Sequence, residues 1–232
     1  MKIKYIQKTS LIDYPGYLAA VVFVTGCDFR CGYCYNKTLQ NFAKADDFIP
    51  VAEILQTIKE RSKFIEGVVV TGGEPCVQPG LVDFLAQIKD LGLKIKLDTN
   101  GHNAELLEFL VNEKKVDYVA MDIKAAPQHY ETVVGSKVDL EQIKQSVACL
   151  LKTKNVLSEF RTTVWQGFAT TLDFHQIFEL IKGAENYYIQ NFYSPEAECT
   201  GSYLPMSRSE IEPILEMGRK YVGKIVLRGD WL

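Results

Sequence analysis

The chain has 232 residues, of which 47% are hydrophobic and 24% charged, with a formal net charge of −3. That length favours one domain, and that much apolar side chain excludes disorder as the main state, because it can fill a core. The longest apolar run, Leu18 to Val24, falls far short of the ~20 residues that a membrane-spanning helix needs, and no long basic block is present to neutralise nucleic-acid phosphates.

The opening Met-Lys-Ile-Lys-Tyr-Ile-Gln-Lys lacks the apolar core of an export signal, so a cytoplasmic location is expected. Residues 18–25 are apolar and rich in β-branched side chains, which predicts a first strand. Pro50 opens a helix over 51–63. Gly-Val-Val-Val-Thr at 67–71 is a short buried second strand. Leu81, Phe84, Leu85 and Ile88 share one stripe of a helix over 81–90. A third strand at 93–98 runs into the turn pair Asn100-Gly101, and a helix over 104–112 turns Leu106, Leu107 and Leu110 inward. A strand at 117–122 and a helix at 140–151 follow, then a strand at 159–164, a helix at 172–182 and a short strand at 187–190. Residues 208–221 are mostly helical, and 224–227 form a last strand. No repeat, low-complexity stretch or Pro/Gly/Ser linker divides the chain.

Alternation of strand and helix implies parallel strands with helical crossovers. About six or seven such units are present, and a full eightfold barrel usually takes ~250 residues, so a partial or open barrel fits the length. An open doubly wound sheet is the alternative. Either architecture puts chemistry at the carboxyl ends of the strands, and polar residues gather there. Cys27 follows the first strand, Gly72-Gly73-Glu74 the second, Asp98-Thr99-Asn100 ends the third, and Asp122 with Lys124 ends the fourth.

Of the six cysteines, Cys76, Cys149 and Cys199 are scattered, whereas Cys27, Cys31 and Cys34 share one short loop. Disulfide frameworks belong to small secreted chains, so free thiols or metal ligands are the better reading here. Clustered thiolates select zinc, copper or iron–sulfur centres. Structural zinc takes four protein ligands, usually as two separated pairs. No second pair exists, and His102, His129 and His175 are dispersed. A cubane iron–sulfur cluster is usually closed by four cysteines, so three would leave one iron open for chemistry. A noncatalytic zinc-binding interaction module is the reading from another class.

Cys27-x3-Cys31-x2-Cys34, with Tyr33 before the last cysteine, resembles the signature of the radical S-adenosylmethionine (radical SAM) superfamily. The resemblance implies a [4Fe–4S] cluster on the three cysteines, with the amino and carboxylate groups of S-adenosylmethionine on the fourth iron. The reduced cluster would cleave the sulfonium to give a 5′-deoxyadenosyl radical that abstracts hydrogen from a substrate. It also implies an α/β fold, a partial (β/α)6-type TIM barrel open on one side. The expected domain is a single one over 1–232, its core about residues 15–192 and its carboxyl-terminal helix and strand at 207–232.

Thr71-Gly72-Gly73-Glu74-Pro75 is similar to the family's Gly-Gly-Glu motif, which receives the methionyl amino group. Asp13-Tyr14-Pro15-Gly16 and Tyr35-Asn36 make the chain resemble activating enzymes of glycyl radical enzymes. The nearest likeness is to anaerobic ribonucleoside-triphosphate reductase activating proteins, with pyruvate formate-lyase activases as near relatives. That likeness implies that Asn36 helps hold the cofactor and that Asp98 and Thr99 help bind a monovalent cation beside it. It puts Asp122 near the cation, Lys124 near the cofactor, and Arg161 on the cofactor carboxylate. The implied partners are a glycyl radical enzyme, anaerobic ribonucleotide reductase first, and flavodoxin or ferredoxin as electron donor, with no nucleic acid and no membrane. A small-molecule radical enzyme similar to 7-carboxy-7-deazaguanine synthase is the alternative within the class. Departures from the pattern are Tyr35, where activases often carry His, and Cys76, which is expected to stay off the cluster. No second cluster is expected, and Cys149 on a helix and Cys199 in a loop carry no assigned role. Phe29 and Tyr33 offer either a docking face or a shield against water.

Overall fold

Short runs such as Ala-Ala-Val-Val-Phe-Val and Gly-Val-Val-Val-Thr-Gly have no polar face, so they are stable only as strands covered on both sides. The computed structural model describes residues 1–41, 48–193 and 203–231, and builds one sheet of eight strands in the order β1 to β8. β1 (Ile3–Ser10) runs antiparallel to β2 (Ala19–Val24). β3 (Gly67–Gly72), β4 (Lys94–Thr99), β5 (Tyr118–Asp122), β6 (Leu157–Val164), β7 (Asn186–Asn191) and β8 (Lys224–Arg228) then follow β2 in parallel. Helices return the chain between them: α1 (Lys37–Gln40) and α2 (Val51–Arg61), α3 (Leu81–Asp90), α4 (Ala104–Asn112), α5 (Tyr130–Val134) and α6 (Leu140–Lys152), α7 (Thr171–Leu180) and α8 (Arg208–Gly218).

Strand order follows chain order throughout, which excludes the doubly wound sheet, whose order must reverse at a switch point. Among the described residues β8 pairs with no strand but β7 and β1 with no strand but β2, so the barrel is partial and open on one side. β1 is an element that the hydrophobic pattern does not announce. Its Ile-Lys-Tyr-Ile-Gln-Lys-Thr-Ser is a half-solvated edge strand, where charge on the exposed positions is normal.

Alternate residues divide the core in two. Ala20, Val22, Val24, Val68 and Val70 pack outward under the helices, while Ala19, Val21, Val69 and Ala120 face the barrel interior. Tyr14 and Tyr118 close that interior from below, and the Tyr14 ring would meet a Cβ on Gly67 at 2.9 Å. The upper interior is left to polar side chains. No helix is long and apolar enough to cross a membrane among the described residues.

Candidate functional site

A cleft of about 630 Å³ opens at the carboxyl ends of the strands. Cys27, Cys31, Cys34, Asn36, Gly72, Gly73, Glu74, Asp98, Thr99, Asp122, Lys124 and Arg161 all line it, so residues far apart in sequence converge on one space.

The cysteine loop is held by backbone bonds. The Gly26 and Cys27 amides donate to the Leu39 and Gln40 carbonyls at 2.8 and 3.0 Å, and the Gln40 side chain donates to the Cys31 carbonyl at 2.8 Å. The Phe29 amide points at the Cys27 sulfur at 3.3 Å. Asp28 accepts from the Asn100 side chain at 2.8 Å and pairs with His102 Nδ1 at 2.7 Å. His102 Nε2 accepts the Asp139 amide, which fixes the proton on Nδ1 and ties the loop to the start of α6. Asp28 and His102 were not legible as a pair, since they lie 74 positions apart.

Cys31 is buried and Cys27 and Cys34 are half-buried. Burial pushes the Cys27 and Cys31 thiols up, with Glu74 adding to the effect at Cys27, so metal binding must displace protons there. No three His, Cys, Asp or Glu side chains converge as a single metal ion requires, among the described residues. Three separate thiols on one wall suit a cluster that takes one thiolate per iron. Tyr33 lines the same cleft, with its hydroxyl buried.

Phe29 and Tyr33 are 1% and 5% exposed, which removes them as a docking face. Tyr33 packs on Trp165 at 4.5 Å, and Trp165 on Phe168 and Tyr203, so the aromatic residues cover the loop against water. Cys76 is buried beneath the cleft against Thr99 and does not line it. Cys149 is half-buried on α6, and the position of Cys199 lies outside the described residues.

The Gly-Gly-Glu turn crosses the end of β2 at backbone contact. The Gly73 and Glu74 amides donate to the Val24 and Gly26 carbonyls at 2.8 and 2.9 Å. Gly72 has a φ of +117°, and Cβ atoms on Gly72 and Gly73 would lie 2.4 Å from the Val24 and Gly26 carbonyl oxygens. Only glycine fits either place. The Glu74 carboxylate is 2% exposed and accepts from the Cys76 and Asn100 amides and the Thr99 hydroxyl at 2.9, 2.7 and 2.7 Å. Burial pushes its carboxyl up to about 7 against the pull of those donors. It thus braces the ends of β3 and β4 from the cleft floor.

Across the cleft, Arg161 bridges two acids: Nε donates to Asp122 at 2.7 Å and Nη1 to Asp98 at 3.3 Å. Lys124 donates to the other Asp122 oxygen at 2.8 Å. Lys96 donates to the other Asp98 oxygen, and the Thr71 hydroxyl reaches Asp98 at 3.1 Å. Burial alone would raise both carboxyls, but Arg161, with Lys96 at Asp98 and Lys124 at Asp122, holds Asp98 below the usual carboxylate range and Asp122 well below it. Lys96 is a second residue absent from the reading of the sequence. The signal was its place two residues before Asp98 in one strand, which puts both side chains on the interior face.

The family model of the radical SAM superfamily matches residues 21–188. The chain belongs to this superfamily. Radical SAM chemistry implies a [4Fe–4S] cluster and S-adenosylmethionine, and the loop thiols and polar cleft suit both. A Methanocaldococcus jannaschii protein described as a candidate glycyl-radical enzyme activating enzyme is 33% identical, over 96% of this chain and 94% of its own. The 7-carboxy-7-deazaguanine synthase of Clostridium acetobutylicum is 28% identical, over 69% of this chain and 76% of its own. In fold, the radical SAM chain is similar to Streptococcus suis SuiB solved with S-adenosylmethionine, with a TM-score of 0.68 at 13% identity. That match covers 90% of this chain and half (50%) of SuiB.

Proposed function

We propose that this radical SAM enzyme is an activase that installs a glycyl radical on a partner enzyme, with anaerobic ribonucleoside-triphosphate reductase as the first partner to test. The observation that carries this reading is the 33% identity to the Methanocaldococcus jannaschii protein over nearly the full length of both chains. A second reading, a small-molecule radical enzyme, draws on the 7-carboxy-7-deazaguanine synthase likeness, which covers less of this chain at lower identity.

In this mechanism Cys27, Cys31 and Cys34 would hold the [4Fe–4S] cluster through three of its irons, and the want of a fourth cysteine would leave a coordination position for S-adenosylmethionine. Gly72 and Gly73 would let the backbone approach the amino end of a bound cofactor, and Glu74 keeps that turn in place. Lys124 and Arg161 offer the cationic donors that a carboxylate requires, and Asp122 orients both. Asn36 and Thr99 flank the same space. When bound, the cluster and S-adenosylmethionine would supply one-electron reductive chemistry able to abstract hydrogen from carbon, with flavodoxin or ferredoxin as the source of the electron. Trp165, Tyr33 and Phe29 exclude water from that region.

The test is electron paramagnetic resonance of the partner after anaerobic mixing with this protein, reductant and S-adenosylmethionine. The expected result is a glycyl doublet on the reductase. No doublet on any glycyl radical enzyme, together with turnover of a small molecule, would transfer the assignment to the second reading.

A further inference from the structure

The likeness to activating enzymes implies a monovalent cation between Asp98 and Asp122, and the side chains around those acids do not suit one. All four carboxylate oxygens already face protein donors. Asp98 has Lys96 on one oxygen and Arg161 with Thr71 on the other. Asp122 has Arg161 on one and Lys124 on the other. Three cationic side chains meet two carboxylates, so the group carries one surplus positive charge before any ligand arrives. A further metal cation would add to that surplus, whereas an anionic ligand group would balance it.

Lys96 is the unusual member. It is 3% exposed, on the middle of a central strand, with Tyr118 beneath its ammonium. Lysine is almost never buried so deeply without a specific partner, and its only carboxylate partner among the described residues is Asp98. Arg161 and Lys124 lie nearer the cleft opening and line it, while Lys96 does not. Its charge is therefore fixed in the barrel wall, out of reach of a ligand and facing the acids from below.

We propose that Lys96 is the built-in counter-ion of this site, so that the protein binds S-adenosylmethionine without a monovalent metal cation. This rests on the cofactor reading above. Lys96 is a positioning residue: it holds Asp98, which in turn holds Arg161 toward the cleft.

The experiment measures S-adenosylmethionine affinity of the anaerobically reconstituted protein by equilibrium dialysis, at constant ionic strength, in choline, sodium or potassium chloride. Wild-type affinity is expected to differ by less than about twofold among the salts, while Lys96→Met loses about tenfold or more in choline and regains it in potassium. Lys96→Arg should keep the charge and stay indifferent to salt. A merely structural role for Lys96 would give a loss that potassium does not restore, and this result overturns the proposal. So does a wild-type protein that needs sodium or potassium for tight binding. Thallium-205 resonance provides a readout that does not depend on the cofactor. One bound thallium in Lys96→Met and none in wild type supports the proposal; a thallium in wild type overturns it. If no variant binds S-adenosylmethionine in any salt, the cofactor reading fails, and the thallium result still decides the role of Lys96.

Discussion

Two belts of charge cross the inside of the barrel, one at the rim and one below it, and they are wired differently. The rim belt consists of Asp98, Asp122, Lys124 and Arg161, which all line the cleft, with Lys96 buried behind Asp98, so that three cations meet two carboxylates. The lower belt is centred on Glu159, 1% exposed, whose two oxygens take both ends of the Arg228 guanidinium at 2.9 and 3.0 Å. The Tyr118 hydroxyl adds a third bond at 2.6 Å, and Arg228 lies over the Tyr188 ring at 3.4 Å. That belt ties β6 to β8 across β7, balances its own charge and does not touch the cleft. Residue type therefore does not separate a binding group from a structural one. Surplus charge and access to the cleft do.

The comparison can be broken at either belt. The largest effect is expected from Arg161→Met, which strips a buried partner from both rim acids and removes a donor for the cofactor carboxylate. Stability should fall by about 3–5 kcal/mol, as when one half of a buried ion pair is deleted, and S-adenosylmethionine affinity by at least about tenfold. Thermal unfolding and equilibrium dialysis read the two losses separately. Glu159→Gln should cost about 1.5–3 kcal/mol by thermal unfolding, through the lost charged bonds to Arg228, yet leave cofactor affinity of the folded protein within about twofold. A large affinity loss in Glu159→Gln would show that the belts are coupled. The smallest effect belongs to Lys89→Ala, whose partner Asp117 is about as exposed as Lys89 itself (32% and 29%). That surface pair should contribute about 0–1 kcal/mol, and no change in cofactor binding is expected.

The two belts also mark where the sequence was legible. Helices α3 and α4 were readable to the residue, because Leu81, Phe84, Leu85 and Ile88, and Leu107 with Leu110, repeat at the helical period. The rim residues were legible because they stand at strand ends in short motifs, and all of those named line the cleft. The lower belt was not, since Glu159, Arg228 and Tyr118 meet only when the sheet curls and brings their interior faces together. The same holds for Asp28 with His102 and for the aromatic cover made by Tyr33, Trp165 and Tyr203. β1 escaped notice because an edge strand with charged exposed positions has no hydrophobic run to betray it.

The central claim is that the three thiols of Cys27, Cys31 and Cys34 leave one iron of a cubane for S-adenosylmethionine. Its most direct test is electron paramagnetic resonance of the anaerobically reconstituted, reduced protein, recorded with and without S-adenosylmethionine. The account predicts a reduced-cluster signal that changes shape when the cofactor is added, and no such signal in Cys27→Ala. A wild-type spectrum indifferent to S-adenosylmethionine, or a protein that takes up no iron at all, would contradict it.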